Sequence, residues 1–188
     1  DDATLRRLVE FALLSPSSAN LQPWGIIEVT DQARKKILRQ CSYNQPKVEE
    51  ASAVFIIIAN PGGLEENIKP MLESWAELGY IKSGDIENQK KIFMSKYGTK
   101  DSDERRIFAV KNASFMAMSI MIAARGLGLE THPMDGFDPV KLHAEFHIPA
   151  DRYVPLLIAV GYPRPGLELL PRAWRRPFGE VVRFNDFR

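Results

Sequence analysis

The sequence predicts an α+β protein in which a sheet lies between layers of helices. Helical and β-rich segments mix along its 188 residues without the strict βαβ order of a parallel sheet. The run AVFIIIA at residues 53–59 is apolar throughout, as expected for a strand that is covered on both faces. Hydrophobic residues make up 45% and charged residues 26%, so we expect a single domain, residues 1–188, with a sizeable core.

Start and stop signals divide the first half of the chain into helices and strands. Asp2 begins a helix, Pro16 ends it, and Thr30 with Asp31 caps the next one. A break at residues 42–46 then precedes a short helix. The predicted order is helix, strand, helix, short helix and strand, at residues 2–15, 24–29, 32–40, 47–52 and 53–59.

The second half is predicted to hold a surface excursion and one long helix. Residues 64–100 show a polar helical pattern, interrupted by Gly79 and Gly84, which predicts a segment laid over the surface. The apolar positions of a helix at residues 103–125 go nearly all round it. Such a helix must be covered all round, which in a domain this small indicates a second, identical subunit. The remaining elements are strands at 129–132 and 153–160, a helix at 138–148 and a last strand at 180–182.

Composition argues against several classes of function. The formal net charge is +1 and no basic block exceeds a solvated helix face, which argues against a nucleic-acid partner. The most apolar run, residues 113–124, is too short for a membrane helix and predicts a buried one, and no signal peptide opens the sequence. Cys41 is the only cysteine, so we expect a reducing, cytoplasmic compartment and a buried thiol that is not a nucleophile.

A polar loop is predicted between the first helix and the first strand. Residues 13–29, LLSPSSANLQPWGIIEV, place serine, asparagine and glutamine side chains between two prolines that stiffen the backbone. These groups both donate and accept hydrogen bonds, and they predict a fixed polar edge for a planar, heteroatom-rich ligand. The residues alone leave an ordinary helix-to-strand connection equally open.

Asn44 and Lys47 form a second candidate site at the start of the short helix. Three positions apart, they can lie on one side of the helix. The amide suits the edge of a uracil-like ring, and the lysine can stabilise an anion beside that ring. In isolation, helix capping by Asn44 and a solvated Lys47 remain the favoured interpretation.

Two further segments complete the pattern. Residues 133–136, PMDG, make a turn in which Gly136 permits close approach of the backbone to a ligand, or else a plain turn before a helix capped by Asp138. Residues 170–177, LPRAWRRP, carry guanidinium groups that suit a phosphate monoester, or are simply a basic tail. His143 and His147 lack both the zincin spacing of glutamate and a third ligand, so no metal site is predicted.

In this order, the four segments resemble the flavin-contacting segments of the nitroreductase family, and the match spans almost the whole chain. The family begins with a basic strand that also holds the FMN phosphate, and this sequence starts after that point. Either those residues lie upstream or phosphate binding is reduced, and we expect the former. One extra residue in the last motif leaves open whether Arg175 or Arg176 holds the phosphate. The resemblance implies that FMN is contacted by Pro16, Ser17, Ser18, Asn20, Gln22, Asn44, Lys47, Pro133, Met134, Asp135, Gly136, Arg172 and Arg175.

The resemblance also implies a fold and an activity. The fold is a nitroreductase-like three-layer sandwich with a mostly antiparallel central sheet, in an intertwined homodimer that binds two FMN molecules at its interface. The activity is ping-pong hydride transfer from NADH or NADPH, through flavin N5, to a nitroaromatic or quinone-type small molecule. Lys47 supports the reduced flavin, no catalytic acid or base is needed, and Phe93, Met94 and Tyr97 cover the ring and contact substrate.

Two alternatives stay open beside this activity. One is another branch of the same superfamily, such as a dehalogenase or a flavin-fragmenting enzyme. The other is a flavin-binding dimer without turnover.

Overall fold

A fully antiparallel, four-stranded sheet separates two helical layers in the computed structural model, which describes residues 1–166, 168 and 170–187. The strand order is β1-β2-β4-β3, so β1 and β3 are the two edges. The three-layer α+β prediction is therefore confirmed. The strands are β1 (Trp24–Val29), β2 (Ala53–Ala59), β3 (Glu130–Met134) and β4 (Leu157–Gly161).

Eight α-helices surround this sheet in the described part of the chain, and short 3-10 turns occur at Ser18–Asn20 and Ser83–Asp85. The side chains of Asp1, Asp31, Ser102 and Asp138 cap helices by accepting from backbone N–H groups in the first turn. The helices are α1 (Asp2–Ala12), α2 (Gln32–Cys41), α3 (Pro46–Glu50), α4 (Gly63–Glu77), α5 (Ile86–Lys96), α6 (Asp103–Gly126), α7 (Pro139–Glu145) and α8 (Phe178–Val181).

The two faces of the sheet form two separate cores. Phe55 and Ile57 of β2 pack with α1, α4 and α6 on one face. Val54 and Ile56 point the other way and pack with α2, α3 and α7. Because successive side chains of a strand alternate between faces, only a run apolar at every position can serve both cores. This explains the sequence of β2.

Helix α4 corrects the prediction that residues 64–100 lie over the surface. Its apolar residues recur at helical spacing, and Leu64, Ile68 and Leu72 are each no more than 1% exposed in the core beneath the sheet. The prediction holds better for α5, which has no fully buried residue. The four glutamates and one lysine of α4 gave the segment its polar pattern and concealed the buried stripe.

Two strand predictions near the C-terminus need correction. Strand β4 begins at Leu157 instead of residue 153 because Pro155 has no N–H for the ladder, and Tyr153 makes only an isolated bridge to Ala59. The prediction of a strand at residues 180–182 is wrong, since residues 178–181 form helix α8. Val182 closes that turn by donating to the carbonyl of Phe178.

Helix α6 divides sharply into two apolar faces. One face packs into the core with a row of buried residues that includes Ala109, Met116 and Ile120. The apolar run at residues 113–124 was predicted to be too short to span a membrane, whereas the whole helix α6 is long and apolar enough by length and composition alone. This face of α6 is nevertheless covered by α1 and the sheet, as predicted for a buried helix. The opposite face, within an arc of about 80° at 100° per residue, is exposed and mostly apolar, with Lys111 near its centre. Its apolar residues are Ile107, Phe115, Met118 and Ile122, which are 47–63% exposed.

Candidate functional site

The second and third predicted segments meet at the end of β3. The Nε2 atom of Gln45 donates to the carbonyl of Gly136 at 2.8 Å. A Cβ atom at position 136 would lie 2.9 Å from that same nitrogen, so a larger residue there would displace the end of the Gln45 side chain. The amide of Asp138 also donates to the carbonyl of Cys41 at 2.8 Å. The turn at residues 133–136 is thus fixed against the loop that carries Asn44.

Tyr43 and Asn44 adopt the left-handed backbone region in this loop. Their φ angles are +50° and +60°, and the loop is held by reciprocal bonds with Arg39: Asn44 N–H donates to the Arg39 carbonyl, and the Arg39 guanidinium donates to the Asn44 carbonyl. Asparagine tolerates this conformation, whereas tyrosine is strained in it. Such strain clusters at binding sites. Both side chains are exposed, so the Asn44 amide is available to a ligand.

Lys47, on the first turn of α3, points to a histidine that the sequence analysis did not single out. Its Nζ atom lies 3.4 Å from Nε2 of His132 on β3. Partial burial and, secondly, the Lys47 ammonium lower the pKa of His132 below its ordinary value. Within the described residues no carboxylate forms an ion pair with Lys47. A histidine directly before the Pro-Met-Asp-Gly turn was the signal available in the sequence.

The turn at residues 133–136 offers a ligand mainly its backbone. Met134 is only 4% exposed and packs in the core, so this residue can reach a ligand only through its main chain. Pro133 and Asp135 are exposed on either side of it. The contact of Asp135 with a ligand stays a prediction.

The first predicted loop, residues 16–22, is strained and tightly bonded. Ala19, Asn20 and Gln22 have φ between +46° and +52°. The hydroxyl of Ser17 accepts from the Gln22 N–H at 3.0 Å, and the Gln22 amide donates to the Asn20 side chain at 3.2 Å. The loop edge is rigid and polar, as the sequence predicts. Pro16 lies exposed at its start.

Asn112 of α6 anchors this loop, and sequence analysis missed it. The side chain is fully buried, accepts from the N–H of Ser18 at 2.8 Å and donates to the carbonyl of Phe108 at 2.6 Å. An amide can perform both roles at once. Asn112 lies two helical turns after Arg105, on the face of α6 that packs into the core. A polar residue at this otherwise apolar position was the signal in the sequence.

Replacing Asn112 with leucine should destabilise the protein by about 1–2 kcal/mol, because the part-buried Ser18 N–H loses its acceptor. Urea-induced unfolding of each variant measures its free energy of unfolding. Ser114→Ala on the same helix removes a hydroxyl that only bonds back to Val110, and should change stability by less than about 0.5 kcal/mol. Equal losses in the two variants would contradict an anchoring role for Asn112.

The first loop borders an open cleft of about 550 Å³ at the free edge of β1. Asn20 and Gln22 line it together with Trp24, Ile26, Asn67 and Met71. Asn67 of α4 also donates to the carbonyl of Leu21 at 2.9 Å, which fixes the loop from the helix side. The cleft therefore has polar groups at one side and apolar walls elsewhere.

One chain does not bring the first loop together with the other two segments. The start of β1 and the end of β3 lie at the same end of the sheet but on opposite edges, three strand spacings or about 14 Å apart. They also lie on opposite faces, since the first loop is bonded to α6 and the Asn44 loop follows α2. Each chain carries two separate parts of the predicted site.

Arg172 and Arg175 lie on an exposed C-terminal tail. Nη1 of Arg175 donates to the carbonyls of Ala173 and Trp174, which are its own neighbours. The tail also exposes large apolar side chains that a folded chain normally covers: Trp174, Phe178, Phe184 and Phe187 are 68–93% exposed. The phosphate-binding prediction for the two arginines stays a prediction.

Phe93, Met94 and Tyr97 pack inward in the structure. Phe93 packs edge-on against Trp75, with 6.0 Å between the ring centroids. The ring centroids of Tyr97 and Phe108 are 4.5 Å apart. Burial raises the pKa of Tyr97. All three side chains are half-buried against the core, so their packing fixes α5, and their contact with substrate stays a prediction.

The remaining candidates of the sequence do not form a site in the described residues. No three histidine, cysteine, aspartate or glutamate side chains are grouped for a metal ion in this part of the chain. Cys41 is 2% exposed, as predicted, and burial raises the pKa of its thiol.

The three-layer fold and the polar loops at one end of its sheet define an oxidoreductase of the nitroreductase type. A sequence profile described as "Nitroreductase family" matches residues 1–162. The chain therefore belongs to the nitroreductase family.

Individual relatives agree with this assignment. A Thermus thermophilus protein named "NADH dehydrogenase" is 31% identical over 166 residues, which are 86% of this chain and 77% of the relative. The crystal structure of a Bacillus subtilis protein titled "putative nitroreductase ydfN" superposes with a TM-score of 0.91 at 28% identity, covering 98% of this chain and 88% of that one. An Exiguobacterium sibiricum structure, titled as a "putative nitroreductase in complex with FMN", shares the fold with a TM-score of 0.83 at 22% identity, over 98% and 87% of the two chains.

Proposed function

We propose that the protein is an FMN-dependent oxidoreductase that uses NADH or NADPH to reduce nitroaromatic or quinone-type acceptors. The observation that carries the proposal is the hydrogen bond from Gln45 to the Gly136 carbonyl, which joins the loop of Asn44 and Lys47 to the turn at residues 133–136. Membership of the nitroreductase family and the FMN complex of a structural neighbour support the cofactor.

The residues at this junction fit a flavin. Asn44 offers an amide that donates and accepts, and Lys47 offers an ammonium without a competing carboxylate in the described chain. The turn at Gly136 lies beside both, held by Gln45. When bound, FMN would supply the redox chemistry itself, as a carrier of hydride between the nicotinamide and the acceptor. The protein needs no catalytic acid or base for that step.

The roles of the chain's own residues follow from their positions. Lys47 holds positive charge beside the ring edge where negative charge develops on reduction. The turn at 133–136 offers main-chain N–H groups, and the tail arginines Arg172 and Arg175 complement a phosphate. A donor and an acceptor that stack in turn at one place give ping-pong kinetics.

We also propose that two copies of the chain form an intertwined homodimer with two such sites. Three observations support a second copy: the exposed apolar row of α6, the uncovered aromatic tail, and the separation of the first loop from the other segments. In the dimer, Pro16, Ser17, Ser18, Asn20 and Gln22 of one chain meet the flavin that the other chain holds. The partners are then another copy and a small-molecule acceptor, in the cytoplasm.

The decisive test is spectroscopic. The purified full-length protein should bind FMN stoichiometrically, and the flavin absorbance near 450 nm should bleach anaerobically with NADH or NADPH and recover when a nitroaromatic or quinone is added. A folded protein that takes up no FMN would refute the proposal. FMN that binds but is reduced by neither nicotinamide would favour a flavin-binding dimer without turnover. Reduction without reoxidation by these acceptors would favour another branch of the superfamily.

A further inference from the structure

His132 occupies a position that links β3 to the proposed flavin site. It directly precedes Pro133, and it pairs across the sheet with Ala159 of β4. Because Met134 is two residues further on, both side chains lie on the same face of the strand. The imidazole lies beside the first turn of α3, with Nε2 3.4 Å from Nζ of Lys47.

We propose that His132 is a positioning residue for Lys47: its neutral imidazole accepts a hydrogen bond from the ammonium and holds it beside the turn at 133–136. The proposal rests on the function proposed above. A lysine on a flexible four-carbon stem needs an acceptor to stay in one place. A carboxylate would hold it but cancel its charge, whereas a neutral imidazole holds it and leaves the charge available to the ligand.

Other charged groups near this pair already have partners. On α3, Glu49 pairs with Arg39 and Glu50 with Arg164. On β3, Glu130 pairs with Arg125, and β4 presents only Ala159 to the histidine. Asp135, beyond Pro133 and Met134, is exposed to solvent at the turn. Lys47 is therefore the charge that faces His132.

Protonation should break the arrangement. Below the pKa of His132, Nε2 carries a proton and cannot accept, and two cations stand where one stood. Partial burial and the Lys47 ammonium lower that pKa, so the neutral form that holds Lys47 persists to a more acidic pH than for a free histidine, whose pKa is about 6.5. Lys47 should be held at neutral pH and released as the pH falls.

The first test needs no flavin. NMR titration of the imidazole in the FMN-free protein gives the pKa of His132 in the wild type and in Lys47→Met. Removing the neighbouring cation should raise the pKa by at least about 0.3 pH units, because the Lys47 ammonium disfavours the charged form of the imidazole. An unchanged or lower pKa in Lys47→Met would overturn the pairing.

The second test measures the dissociation constant of FMN by fluorescence for two substitutions of similar size. His132→Leu removes the acceptor and should weaken binding about three- to tenfold at pH 8, whereas His132→Gln keeps an acceptor and should bind nearly as tightly as the wild type. Between pH 8 and 5 the wild type should lose more affinity than His132→Gln, whose own loss reports protonation of the FMN phosphate, with a second pKa near 6. Wild-type affinity in His132→Leu, or identical pH profiles, would overturn the proposal.

The two tests separate this proposal from the proposed function. Should none of the proteins bind FMN while the NMR difference holds, the oxidoreductase is refuted, and with it the role of His132 toward flavin. Should FMN bind and the NMR difference be absent, the function stands and the positioning role falls.

Discussion

Replacing Arg105 with leucine should destabilise the protein by at least about 2 kcal/mol, because buried and part-buried carbonyls would lose a charged hydrogen-bond donor. The Arg105 side chain is 1% exposed and pairs at 2.7 Å with Glu65 of α4, whose own side chain is 38% exposed. Its guanidinium also donates to the carbonyls of Pro61, Tyr97 and Gly98. It thus ties the start of α6 to α4 and to the segments that follow β2 and α5. Leucine would leave these groups without their donor.

The free energies of unfolding of Arg105→Leu and Arg106→Leu, measured in urea, should be compared. Arg106 is the next residue along the same helix, is 49% exposed and pairs only with Asp103, so its loss should cost less than about 0.5 kcal/mol. A destabilisation of Arg105→Leu below about 1 kcal/mol would show that the five hydrogen bonds of its guanidinium do not anchor the α4–α6 corner.

Met118→Glu should split the proposed homodimer and raise its dissociation constant more than about a hundredfold, because a twofold interface would bury two unpaired carboxylates. Met118 is 51% exposed and lies in the centre of the exposed apolar row on α6. Its exposure in the single chain means that the substitution should leave the monomer fold intact. Sedimentation at several protein concentrations gives the constant.

Val140→Glu is the matched control for the dimer. Val140 is 78% exposed on α7, in the helical layer on the opposite side of the sheet from α6, so its substitution should leave the dimer unchanged. A wild-type protein that sediments as a monomer at micromolar concentration would refute the dimer. So would a Met118→Glu variant that associates as strongly as the wild type.

The secondary structure was readable from the sequence wherever one signal dominated. The bounds of β1 and β2 match the prediction, because β1 follows a proline and β2 is apolar at every position. Strand β4 was predicted four residues too early, since periodicity alone ignores the missing N–H of Pro155. The buried stripe of α4 escaped prediction because tertiary contacts, which no local pattern contains, decide which apolar residues are covered.

The candidate site could be predicted only in part for a related reason. Asn44, Lys47 and Gly136 could be predicted as candidates because each stands in a short motif. His132, Asn112 and Arg105 act through partners 85, 94 and 40 residues away in sequence, at His132–Lys47, Asn112–Ser18 and Arg105–Glu65. A single sequence does not show which distant groups meet. Only the folded chain identifies them.

The placement of the first loop and the Asn44 loop on opposite edges of the sheet has a genetic consequence for the proposed dimer. Every site would combine one loop from each chain, so two alleles that are damaged at different loops can complement each other. A mixed pair would hold one site in which both defects meet and one site that is entirely sound. Alleles that are damaged at the same loop would have no such rescue.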